Sequence, residues 1–206
     1  MMHQQMEQSY RKKEEPDWFA SDLIFNSIYP RHIQEAAQKH WTPIEVAISV
    51  ANYLSASPGM KILDIGSGSG KFCFTAANYH RDAHFYGVEQ RKELVDLCDD
   101  LKEQLQLSNV TFINQNITDI NFSDYDHFYF YNSFYENIDG TQKIDYTVPY
   151  SEKLYDYYNL YVYKQLKKLP AGTKIATFHS FGNEIPPGYE VVHTSFGNYL
   201  QFWVKL

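Results

Sequence analysis

Short apolar runs alternate with amphipathic ones from Lys61 to His179, and this alternation constrains the fold more than any other feature. "KILDIG", "AHFYGVE", "VTFINQ" and "DHFYFYN" read as buried strands. "KFCFTAANYH", "RKELVDLCDDLKEQLQL" and "YSEKLYDYYNLYVYKQLKKL" read as helices. Leu94, Leu97, Leu101 and Leu105 share one side of the second helix. Leu154, Tyr158, Tyr161, Val162, Gln165, Leu166 and Leu169 share one side of the third. "TKIATFH", "YEVVHTS" and "NYLQFWVKL" close the chain as three more strands. Strands alternating with helices form βαβ units and a parallel sheet. The last two strands are joined through only Phe196–Gly197, which predicts a hairpin. The expected fold class is therefore α/β: a seven-stranded, mostly parallel, doubly wound sheet with the last strand antiparallel, plus N-terminal helices.

Upstream, "EPDWFASDLIFNSIYPRHIQEAAQKHWTP" predicts short helices broken at Pro30. Pro43 suits a first helical turn with Thr42 as its cap, and Ile44, Ala47, Ile48, Ala51 and Leu54 then form one apolar face. Residues 1–15 are polar and read as loose. The expected division is an N-terminal flexible and helical extension over 1–41 and a ligand-binding domain over 42–206. No apolar leader or membrane-spanning run is apparent, and two cysteines, Cys73 and Cys98, are too few for a metal cluster or a disulfide framework. A reduced, cytoplasmic setting without a bound metal is expected. The net charge of −7, with no basic footprint visible beyond the runs at Arg11–Lys13 and Lys167–Lys168, weighs against a nucleic-acid partner.

The loop "LDIGSGSGKF" after the first strand decides the ligand. A phosphate-binding P-loop needs a glycine where Ile65 stands and Ser or Thr where Phe72 stands. A dinucleotide fingerprint finds Gly66 and Gly68 but meets Lys71 at its third glycine, where a charged side chain would crowd the pyrophosphate. The pattern D-x-G-x-G-x-G is satisfied in full by Asp64, Gly66, Gly68 and Gly70. A carboxylate beside the loop repels a diphosphate and attracts a cation. Glu89 ends the second strand, where an acid accepts hydrogen bonds from ribose hydroxyls. An adenosine with a positive centre and an amino-acid tail is S-adenosylmethionine.

Over residues 42–206 the chain resembles the class I, seven-strand S-adenosylmethionine-dependent methyltransferases. The resemblance implies that Asp64, Gly66, Ser67, Gly68 and Gly70 cradle the methionine part. It also implies that Glu89 holds the ribose, and that Gln90, Asn116 and Ile117 border the adenine. Asn116 would accept the adenine amino group through its side-chain carbonyl, with Asp119 as the substitute. His40, Trp41 and Thr42 would cover the cofactor.

The fourth strand ends "FYFYNSFYEN". Asn132 and Tyr135 match the outer positions of the N-P-P-[YF] phrase of amino-methylating members, without its prolines. Asn132 and Phe134 match the outer positions of the "NNF" segment of histone-lysine methyltransferases with this fold. Asn132, beside the cofactor, would accept amine N–H bonds and aim the lone pair. Phe134 and Tyr135 would wall the channel, and Glu136 would anchor a cation or receive a proton. Against these stand plain readings: Asn132 ending a strand, Tyr135 in the core, Glu136 in water. The long loop from Ser133 to Pro149 offers Tyr135, Tyr146 and Tyr150 as rim residues, and His179 points to the same mouth. The expected function is methyl transfer to an amine nitrogen of a protein lysine or small molecule. A non-catalytic cofactor-binding subunit is the alternative, and the oligomeric state is not legible.

Overall fold

The computed structural model describes residues 16–206, so the loose reading of residues 1–15 lies outside the described residues. The helices are α1 (Asp22–Asn26), α2 (Arg31–His40), α3 (Ile44–Leu54), α4 (Lys71–Tyr79), α5 (Lys92–Gln104) and α6 (Glu152–Lys168). The strands are β1 (Lys61–Ile65), β2 (His84–Glu89), β3 (Val110–Asn114), β4 (His127–Tyr131), β5 (Lys174–Phe178), β6 (Tyr189–Ser195) and β7 (Leu200–Lys205). They form one seven-stranded sheet in the order β3-β2-β1-β4-β5-β7-β6. Strands β1 to β5 pair in parallel, and β7 runs antiparallel to both β5 and β6. The expected α/β sheet is the one observed. Its closing hairpin turns over Phe196–Tyr199, longer than the two residues expected, with Phe196, Gly197 and Asn198 all at positive φ.

The central strands are apolar on both sides because both sheet faces are covered. Ile62, Tyr129 and Ala176 face one core with α3, α4 and α5, while Leu63, Phe128, Phe130 and Ile175 face the other with α6. The crossover from β3 to β4 has no α-helix. Two 3-10 turns, Ile117–Asp119 and Phe122–Asp124, bring Phe122 onto Phe128 with ring centroids 5.0 Å apart. Burying such a ring stabilises the fold by about 1.5–3 kcal/mol.

The first core runs through the boundary expected between 41 and 42, since Phe19, Phe25, Tyr29, Ile33 and Trp41 pack with Val46, Val50 and Phe74. Lys71 explains why. Its ammonium does not crowd the glycine loop. It turns to α1, where Asp22 Oδ1 lies at 2.5 Å and Asn26 Oδ1 at 2.9 Å. A buried cation without such partners would be costly. The same Asp22 oxygen accepts the Ile44 amide at 3.0 Å and so caps α3. Thr42 is therefore not the helix cap. Pro43 occupies that position with no side-chain bond, and Thr42 Oγ1 meets Tyr129 OH at 3.0 Å. The buried face of α3 adds Val46 and Val50, while Ile48 is only half-buried. Among the described residues no helix is long and apolar enough to cross a membrane.

Candidate active site

Strand order reverses between β1 and β4, the place where an open α/β sheet binds ligands. Ile65 pairs with Val88 on one side and Phe130 on the other, so β1, β2 and β4 end level. Gly66, Glu89 and Asn132 consequently emerge side by side. Three cavities meet here, and Gly66 lines all of them.

The largest is a chamber of about 560 Å³, within the usual range for ligand pockets. One end is the glycine loop, with Gly66, Gly68, Glu89 and Trp41. The other is a ring-lined mouth of Tyr131, Tyr135, His179, Phe181 and Tyr199, with Asn132 and Ser133 in the wall between. A narrow slot lies beyond Glu89, among Val88, Gln90, Asn116, Ile117, Phe134 and Tyr158. A narrow cleft under the loop is lined by His40, Thr42, Asp64, Ser67 and Ser69. All the residues expected to hold the cofactor, except Gly70, thus border one of three adjoining spaces.

The glycines act differently from expectation. Gly66 and Gly68 have φ of 74° and 53°, so each suits the left-handed turn. A methyl on Gly66 would lie 2.6 Å from Ser133, and one on Gly68 would lie 2.4 Å from the Trp41 ring. Their bareness lets protein close on protein. Gly70 is likewise packed against Phe112 and Cys98. Trp41 is fixed over the loop by its indole N–H, which donates to Ile33 O at 2.8 Å.

Asp64 is buried, and burial pushes its carboxyl up to about 8, eased by the Cys73 thiol donating to it at 3.6 Å. Burial also raises Glu89, with Arg91 opposing. Glu89 Oε2 accepts the Gly68 amide at 3.2 Å, and Oε1 accepts the Arg91 amide at 2.9 Å. Arg91, which the sequence reading missed, then reaches into the loop after β4. Its Nη2 donates to Glu136 at 2.9 and 3.1 Å and to Tyr150 OH at 2.6 Å. Burial alone would lower this guanidinium, but Glu89 and Glu136 hold it above its ordinary value. Only its position just past Glu89 hinted at a role.

Four expectations change. Glu136 is neither solvated nor free to anchor a substrate, because Arg91 and the Ile144 amide occupy its carboxylate. Phe134 turns into the core against Phe130 and Tyr158, lining the slot instead of the chamber. The Asn116 carbonyl accepts Thr118 N and Oγ1, while its amide donates to Gln90 and Tyr158 OH, so it is not presented to an adenine amino group. The ring of Tyr146 is exposed outside the chamber and Tyr150 is committed to Arg91. Tyr135 and His179 do reach the chamber. Burial pulls the His179 imidazole down, and the ring stacks on Tyr199 at 4.4 Å. Among the described residues no cluster of His, Cys, Asp and Glu could hold a metal ion.

Residues 56–148 match a family model described as a methyltransferase domain. The chain is 30% identical over 105 residues to the ribosomal RNA small subunit methyltransferase G of Christiangramia forsetii, covering 51% of this chain and 47% of the relative. It is 32% identical over 92 residues to a tRNA (guanine-N(7)-)-methyltransferase of a Synechococcus strain, covering 45% and 35%. It thus spans less than half the length of these curated relatives. Among solved structures it is similar to TrmN from Thermus thermophilus (TM-score 0.56, 18% identity, covering 85% of this chain and 52% of that one). It is also similar to an RNA methyltransferase from Salinibacter ruber in complex with S-adenosyl-L-homocysteine (TM-score 0.54, 18% identity, 80% and 92%). Residues 56–148 thus match a methyltransferase domain, and the chain shares the α/β fold of these methyltransferase structures.

The site residues fit the S-adenosylmethionine that the sequence resemblance implies. Ser67 Oγ, Ser69 Oγ and His40 Nε2 are buried with no hydrogen-bond partner among the described residues, and all three residues line the cleft with Asp64. Buried polar groups are almost always paired, so this cleft suits a polar tail bearing an ammonium and a carboxylate. Glu89 borders both the chamber and the slot.

Proposed function

We propose that the chain is an S-adenosylmethionine-dependent methyltransferase that methylates a nitrogen on a compact, ring-bearing acceptor. The observation carrying this is the single chamber that joins the glycine loop to an aromatic mouth across Asn132. The donor, when bound, supplies an electrophilic methyl on a sulfonium. Asp64, Ser67 and Ser69 would hold its amino-acid tail, Glu89 its ribose, and Gln90 and Ile117 would flank its base.

Asn132 sits at φ 43°, a left-handed conformation that Asn tolerates better than most residues. This turn directs the chain out of β4 and leaves the side chain at the chamber wall. Its amide oxygen would accept an acceptor N–H and aim the lone pair along the line of attack. Tyr135 and Tyr131, both lining the chamber, would offer their rings to the positive charge that develops on nitrogen. His179, kept unprotonated near neutrality by burial, would take the proton the acceptor sheds.

A lysine side chain needs only a thin tunnel, whereas this mouth is ring-lined on a chamber of about 560 Å³, so the protein-lysine reading rests on the acidic balance and the partial "NNF" likeness. A second reading, an RNA base, is favoured by the relatives named for RNA methylation. The net charge of −7 opposes it. Cys73 and Cys98 are buried and unpaired, which suits a reducing, cytoplasmic setting. Titration calorimetry with S-adenosylmethionine tests the core of the proposal, and no heat at millimolar donor overturns it. Radiolabelled methyl transfer to small heterocyclic amines, total RNA and peptides then separates the acceptors.

A further inference from the structure

Arg91 joins two parts of the molecule that the proposed chemistry uses separately. It is the N-cap residue of α5, and its backbone and side-chain nitrogens both grip Glu89. The same guanidinium holds Glu136 and Tyr150, and its Nε contacts Asp145 Oδ2 at 3.0 Å without aiming its N–H there. Glu136, Asp145 and Tyr150 all belong to the segment between β4 and α6 that forms a chamber wall. Within that segment Lys143 donates to the Glu136 and Ile138 carbonyls, and Glu136 accepts the Ile144 amide. The segment is thus folded about Glu136, and Glu136 is held by Arg91.

We propose that Arg91 is a positioning residue that couples cofactor binding to closure of the 136–150 segment over the acceptor chamber. The inference rests on the assignment of Glu89 to the ribose. A ligand that fixes the Glu89 carboxylate fixes the guanidinium, and through it Glu136 and Asp145. By reciprocity, loosening the segment weakens the cofactor by the same factor. Asp145 is the sharpest probe, because it borders none of the three cavities.

The test uses S-adenosylhomocysteine with the full chain, and needs no acceptor. Calorimetry on wild type, Asp145→Asn, Arg91→Lys and the neighbouring control Lys92→Ala reads affinity, and hydrogen exchange reads amides 138–150. Asp145→Asn and Arg91→Lys are expected to lose about fivefold or more in affinity, with Lys92→Ala unchanged. The ligand slows exchange of 138–150 in wild type, and in Arg91→Lys that slowing is lost while the amides of 66–70 keep theirs. Wild-type affinity in both Asp145→Asn and Arg91→Lys, or equal slowing of 138–150 in wild type and Arg91→Lys, overturns the coupling. No binding by wild type overturns the Glu89 assignment itself.

Discussion

Replacing Asp64 by Asn tests the electrostatics of the cleft directly. The carboxyl is 4% exposed, and its value rises from 3.8 to about 8 through burial. At pH 7 it is protonated in the folded chain and ionised in the unfolded one, so folding takes up a proton there. The sign follows: Asp64 costs the fold nothing below about pH 4, its cost grows as pH rises, and the cost is complete once pH passes the folded value. At pH 7 the window above the unfolded carboxyl is about 3 pH units, or about 4 kcal/mol at about 1.4 kcal/mol per unit. An asparagine removes that cost but buries an amide whose N–H groups need partners, a penalty of about 1–3 kcal/mol. Asp64→Asn is therefore expected to stabilise the protein by about 1–3 kcal/mol at pH 7. Urea unfolding from about pH 5 to about pH 8 measures it. The wild-type minus variant difference should fall by about 1.4 kcal/mol per pH unit between about pH 5 and pH 7. Taking this difference cancels the other raised carboxyls, Glu89 and Glu184. A difference that stays flat across that range would refute the reasoning.

The same carboxyl should make donor binding pH-linked: a ligand ammonium ionises it, so calorimetry at pH 7 in buffers of unlike ionisation enthalpy should show nearly one proton released, and none for Asp64→Asn. Gly68→Ala adds a clash with Trp41 at 2.4 Å to its left-handed strain, whereas Gly59→Ala, with nothing within 4 Å, carries strain alone. Urea melts should show losses of about 1–2 kcal/mol for Gly59→Ala and distinctly more for Gly68→Ala, and only Gly68→Ala should weaken S-adenosylhomocysteine. Asn132→Ala should lower kcat by about a hundredfold with cofactor affinity unchanged. Asn132→Gly, which relieves the φ of 43°, should be equally slow if the amide matters and recover if only the turn does.

Much of the architecture was legible because it is written in local periodicity. Leu94 and Leu101 repeat at helical spacing and are buried, and Ile62, Leu63 and Ile65 sit in a mostly apolar, buried strand that a doubly covered sheet demands. The glycine loop was legible for a similar reason, since positive φ at Gly66, Gly68 and Gly70 is a property of single residues. The misreadings have a common cause. Thr42 carries a capping side chain, yet Asp22, distant in sequence, supplies the bond to Ile44. Glu136 looked free because Arg91, its partner, lies 45 residues away. Lys71 looked obstructive because nothing near it in sequence announces Asp22 and Asn26.

The sequence by itself determined the order of strands and helices, the acid-and-glycine loop at the first strand's end, and the acid at the second's. Those depend on backbone preference and on the burial pattern of neighbouring residues. Only the tertiary structure decided that the glycines are bare to admit Ser133 and Trp41, that the N-terminal helices share the main core, and that one arginine ties Glu89 to the segment after β4. Charge pairing and close packing depend on distance in space, and the level ends of β1, β2 and β4 set that distance.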